Sequence, residues 1–198
     1  MPDMSFDPTD ELHCQKVAFF EIEHEDVFHL KNLYKMIFEW FGMHKFVSVD
    51  NNDSNIETLY FEKILQNGNK EHHIWWRTHN IPDNNKYYKY YLKFDYQTLN
   101  MGKHKVTHKG QQISTNSGDL ILRCEAYLIL DYQKTWRNHW FLKNFENLFI
   151  KRWYKAQIDF LKTDLWIKTY KLQDAIKQYM KLKNPSEMPK PFHPELGL

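Results

Sequence analysis

The chain has 198 residues, enough for one domain with a full core and too few to expect two. Apolar residues at 42% and charged residues at 26% exclude a disordered chain, and aromatics at 17%, with 7 Trp and 12 Tyr, leave large rigid side chains for the core or for contact surface. The net charge of +2 conceals an asymmetry: residues 1–30 hold eight Asp/Glu against one Lys, and residues 135–183 hold eleven Lys/Arg against four acids, which reads either as solvation of outer faces or as a basic docking surface.

Residues 1–15 carry Pro2 and Pro8 without periodicity and are expected to be a flexible arm, with a single domain over 16–184. VAFFEIEHE (17–25) alternates and permits either a short strand or a helix entry. From Asp26 the spacing of Val27, Leu30, Leu33, Ile37, Phe38 and Phe41 predicts an amphipathic helix closed by Gly42. Period two follows: 57–65 and 70–80 flank Asn67-Gly68 and predict a hairpin. In KYYKYYLKFDYQTL (86–99), Tyr88, Tyr90, Leu92, Phe94 and Tyr96 share a face opposite Lys89, Lys93 and Asp95. The next stretch bends at Lys109-Gly110. DLILRCEAYLILDY then reads as a central strand, with Leu120, Leu122, Cys124, Ala126, Leu128 and Leu130 on one face.

From His139 the period becomes helical again. Phe141, Leu142, Phe145, Leu148, Phe149 and Trp153 form a stripe expected to face the core, and Thr163-Asp164 offers a cap for a second helix. The tail 185–198, with four prolines, is expected to be flexible. The reading is α+β: an antiparallel sheet of about five strands, one N-terminal helix, and one or two long C-terminal helices packed on it.

The Phe141–Trp153 neighbourhood also carries Lys151, Arg152 and Lys155 beside Trp153 and Tyr154, a mixture suited to a macromolecular partner, to self-association, or to a membrane interface. Catalytic motifs are missing: the sequence contains no Gly-rich phosphate loop, HExxH, GxSxG or CxxC, so an enzyme is disfavoured and no cofactor is expected. His72, His73, His79, His104 and His108 would supply metal nitrogens only if their strands brought them together; surface histidines are the simpler reading, and no metal is assigned. Cys14 and Cys124 read as free thiols. Aromatic and basic residues interleave in KYYKYYLKFDY as in single-strand nucleic-acid binders, but they fall on opposite faces, which argues against a stacking platform. An apolar small molecule held between sheet and helix by Trp75, Trp76, Tyr88 and Tyr90 is the alternative to an interaction protein. With no leader pattern and no run of 18 apolar residues, a cytoplasmic location without a membrane span is expected.

The element order, together with Gly118-Asp119, Tyr127, Asp131-Tyr132, Trp136 and the run from Phe141-Leu142 to Arg152, resembles a family of short uncharacterised archaeal proteins over roughly residues 20–183. The resemblance implies architecture and carries no activity, cofactor or site residue.

Overall fold

A computed structural model describes residues 6–48, 56–108 and 111–180. Strand β1 (Cys14–Phe28) precedes helix α1 (Leu30–Met43). Four more strands follow, β2 (Val47–Ser48), β3 (Glu57–Ile64), β4 (Lys70–Asn80) and β5 (Tyr88–His108), and then β6 (Gln111–Leu130). Short helices α2 (Thr135–Asn138) and α3 (Glu146–Leu148) lead into the 25-residue helix α4 (Lys155–Tyr179). The expected α+β architecture is present, with six strands in place of about five. All pairings are antiparallel, in the order β1-β6-β5-β4-β2, with β3 also paired to β4, so β2 and β3 share one edge of the sheet.

Beta pairing explains where the boundaries differ from the sequence reading. The ambiguous segment 17–25 is part of a 15-residue strand, and Val27 and Phe28, expected in the helix, pair with Ser117 and Asn116 of the long β6. A ready partner strand overrides the helical spacing of those two residues. Helix α1 therefore begins at Leu30, where the His29 imidazole accepts the Asn32 N–H at 3.3 Å. It runs through Gly42 and ends at His44, whose ring stacks on Trp40; the left-handed residue that follows is Lys45, so Gly42 is not the cap. Leu33, Ile37, Trp40 and Phe41 recur at helical spacing and are buried.

The predicted hairpin of β3 and β4 is present, with Gly68 taking the positive φ of its turn. The bend expected at Lys109-Gly110 lies outside the described residues, as do residues 1–5 and the tail 185–198. β6 pairs with both β1 and β5 and is central, as its sequence predicts. Its inner face joins Phe20 and Ile22 of β1, the Tyr88 to Tyr96 row of β5, and Ile74 and Trp76 of β4 in one core. Helices α1 and α4 cover that face, α4 contributing Ile158, Leu161, Leu165, Leu172 and Ile176. No helical break occurs at Thr163-Asp164. The Thr163 hydroxyl donates to the Asp159 carbonyl, and Asp164 accepts from Tyr90 and Lys168, so neither residue acts as a cap.

Within the span expected to be a flexible arm, Leu12 packs against the main core, whereas Phe6 lies on the opposite face of the sheet. Phe6 stacks on Tyr91 and meets Tyr127 edge-on, within a small second cluster that includes Cys14 and Ile129. The rest of that face carries ion pairs, among them Arg77 with Asp95, Arg123 with Glu21, and Glu125 with both Lys16 and Lys93.

Candidate interaction surface

The segment after β6 is organised by Asp131. Its buried carboxylate accepts the N–H groups of Trp136 and Arg137, which starts α2, while the Tyr132 hydroxyl donates to the Asn85 carbonyl. Trp136 stacks on Phe149, and Phe149 stacks on Tyr154, giving a small aromatic column that Tyr87 closes edge-on.

Beyond that column the expected stripe is turned inside out. Segment 139–153 is a chain of short turns that ends in one π-helical turn, Phe149–Trp153, instead of a regular amphipathic helix. Its inward side is Glu146, Phe149 and Ile150; the Glu146 carboxylate lies 3.0 Å from His13 Nε2, and His13 also contacts Asp10 at 2.8 Å. Phe141, Phe145 and Leu148 are exposed, and Trp140 and Trp153 are 78% and 73% exposed. The reason is a contact from the other end of the chain. Burying Glu146 against a histidine fixes which side faces inward, and the wide π turn then rotates Trp153 outward. No periodicity rule anticipates a carboxylate as the anchor of the buried side.

Helix α4 also exposes apolar side chains: Phe160 is 66% exposed, and Ile167, seven residues on and on the same side of the helix, is exposed as well. Lys143, Lys151, Arg152 and Lys155 are exposed, and among the described residues none of these four forms an ion pair. Of the residues expected to form a partner surface, Lys151, Arg152, Trp153 and Lys155 are therefore outside, whereas Tyr154 packs inward on Phe149. Sequence reasoning missed Trp140 and Phe160 as surface residues. Lys151, Lys155 and Lys162 also line a cleft of about 580 Å³ with Glu11, Leu12 and Ile158.

The residues expected to form a pocket do not gather around one. Trp76 and Tyr90 are filled into the core, Tyr88 is buried beside Tyr90, and Trp75 points from the opposite face of β4. Burial and the Asp164 carboxylate that accepts its hydroxyl raise the pKa of Tyr90 strongly. The histidines separate as well. His72 and His73 alternate across β4, His72 and His79 are buried, and exposed His104 lies on β5 beyond the end of its pairing with β4. The His108 side chain lies outside the described residues. Among the described residues no group of three His, Cys, Asp or Glu is placed to hold a metal ion. Both cysteines are free and buried; burial pushes the Cys14 thiol up to about 11 and the Cys124 thiol higher still, so neither is an activated thiolate.

No helix among the described residues is long and apolar enough to cross a membrane. No family model, curated protein or solved structure matches the chain.

Proposed function

We propose that this is a non-enzymatic binding protein that docks a macromolecular partner, or a second copy of itself, through the aromatic and basic surface of segment 139–167. The observation that carries the reading is the reversal of the Phe141–Trp153 stripe. Large side chains that periodicity assigns to the core stand exposed in one segment with four cations that form no ion pair among the described residues. Trp140, Phe141 and Phe145 touch one another in water, the kind of exposed apolar cluster that marks interaction sites, and Trp, Phe and Arg are favoured interface residues. The cations add a preference for an acidic partner surface.

The test is the double variant Trp153→Ser/Phe160→Ser, both positions being exposed, so that the thermal midpoint should stay within about 2 °C of wild type. Wild type should sediment as a concentration-dependent oligomer or retain a partner in native-organism extract, and the variant should lose that association. A wild type that is strictly monomeric and captures the same proteins as the variant overturns the proposal. Co-sedimentation with phosphatidylserine vesicles, lost in the variant and without any protein adduct, would replace the protein partner by a membrane surface.

A further inference from the structure

A second feature lies apart from that surface and shares no residue with it. Between the start of α1 and the β3–β4 edge of the sheet is a cavity of about 950 Å³, at the upper end of the roughly 300–1,000 Å³ usual for small-molecule sites. Its floor is apolar: Leu30 and Tyr34 from α1, Ile74 from β4 and Met101 from β5, the last two buried. Its other lining is polar, with Tyr60, His72, three asparagines and four lysines against the single carboxylate of Glu57. Lys31 and Lys35 stand one helical turn apart on α1, next to the positive end of its dipole, and Lys70 and Lys103 come from β4 and β5.

Glu62 pairs with Lys70 at 2.6 Å, and Glu57, the one carboxylate of the lining, accepts the Tyr34 hydroxyl, so the lysines outnumber it. Among the described residues Lys31, Lys35 and Lys103 have no ion-pair partner. The wall is tied together. His72 Nδ1 lies 2.7 Å from the Thr98 hydroxyl and His72 Nε2 lies 3.3 Å from Glu62, and burial lowers the His72 pKa, which favours a neutral ring at neutral pH. Asn67 and Asn69 donate to the Asn100 side chain at 3.0 and 2.8 Å, which clamps the hairpin turn to β5.

We infer that this cavity binds an amphipathic anion, an acyl chain bearing a carboxylate, with the chain on the Leu30–Tyr34–Ile74–Met101 floor and the carboxylate among Lys31, Lys35 and Lys103. A cationic amphiphile would meet like charge, and an uncharged one would leave the lysines without a counter-charge. A polyhydroxylated ligand would find too few donors and acceptors on the apolar floor.

The probes are dodecanoate, 1-dodecanol and dodecyltrimethylammonium, each below its micellar concentration, titrated calorimetrically at neutral pH. Dodecanoate should bind at least tenfold tighter than the other two. Lys31→Glu/Lys35→Glu should bring it down to the affinity of the alcohol, with the alcohol unchanged. Trp153→Ser/Phe160→Ser should leave dodecanoate binding intact, so that this site stands or falls separately from the docking surface. If the lysine variant fails to fold, a diazirine-bearing dodecanoate on wild type decides: adducts should fall in residues 30–35, 67–74 and 101–103. Equal affinity for all three probes, absence of binding, or adducts confined to 139–167 overturns the inference.

Discussion

Glu125 is the most heavily engaged carboxylate on the outer face of the sheet. Burial opposes its ionisation, but hydrogen bonds from Lys16, Lys93 and Tyr127 outweigh that and hold its pKa down at about 2, against the usual 4.5. A carboxylate depressed in the folded state stabilises fully above its unfolded pKa and loses that contribution as the pH falls through the folded value. Glu125→Gln should therefore lower the urea midpoint at pH 7, and the gap from wild type should close between about pH 4.5 and pH 2. A gap that stays constant with pH would mean that the effect is packing and not charge. Gly118 makes a second demand at the scale of one residue. It sits at φ +152° opposite the irregularity in β5 between Leu99 and Gly102, and an added Cβ would lie 2.9 Å from the Leu99 carbonyl oxygen. Gly118→Ala should cost about 1–3 kcal/mol in chemical denaturation, the range for a residue forced into a sparsely populated backbone region.

Among the elements, strands β3 to β6 were legible, β1 was only partly so, and the segment after β6 was not. Alternation placed Tyr88 to Tyr96 and Leu120 to Leu130 on buried faces because a sheet with one covered face leaves a strict period of two in its strands. Asn67-Gly68 marked the hairpin for the same local reason. The helical spacing of Phe141 to Trp153 misled because it identifies which residues share a side and not which side is covered. Coverage depends on Glu146 meeting His13, a contact between residues far apart in sequence. The basic cavity was invisible for a related reason: its lysines come from α1, β4 and β5, and only the folded chain assembles them. Phe145→Ala, a core truncation on the sequence reading, should accordingly cost less than about 1 kcal/mol, since Phe145 is 44% exposed and its ring contact is with Phe141, itself exposed. Leu172→Ala, on the fully buried side of α4, should cost about 2–5 kcal/mol. Comparable losses for the two would return the stripe to the core.

For the molecule as a whole, the charge asymmetry along the chain survives folding largely unpaired. Of the acids in residues 1–30, Asp10 pairs with Arg137 and Glu21 with Arg123, and at the other end Lys143, Lys151, Arg152 and Lys155 have no ion pair among the described residues. Cations without ion pairs beside exposed aromatics act at a distance, raising the encounter rate with an acidic surface before any contact forms. Lys151→Glu/Lys155→Glu should leave the unfolding free energy within about 0.5 kcal/mol of wild type, as for most exposed substitutions. Association should nevertheless slow at low salt. Because screening beyond about 10 Å is already strong at 0.1 M salt, the difference between wild type and variant should shrink as salt is raised, with the apolar contribution of Trp153 and Phe160 persisting in both. Stopped-flow association across a salt series measures this directly. Identical rates for the two proteins at every ionic strength would reduce these lysines to solvation of a helix face.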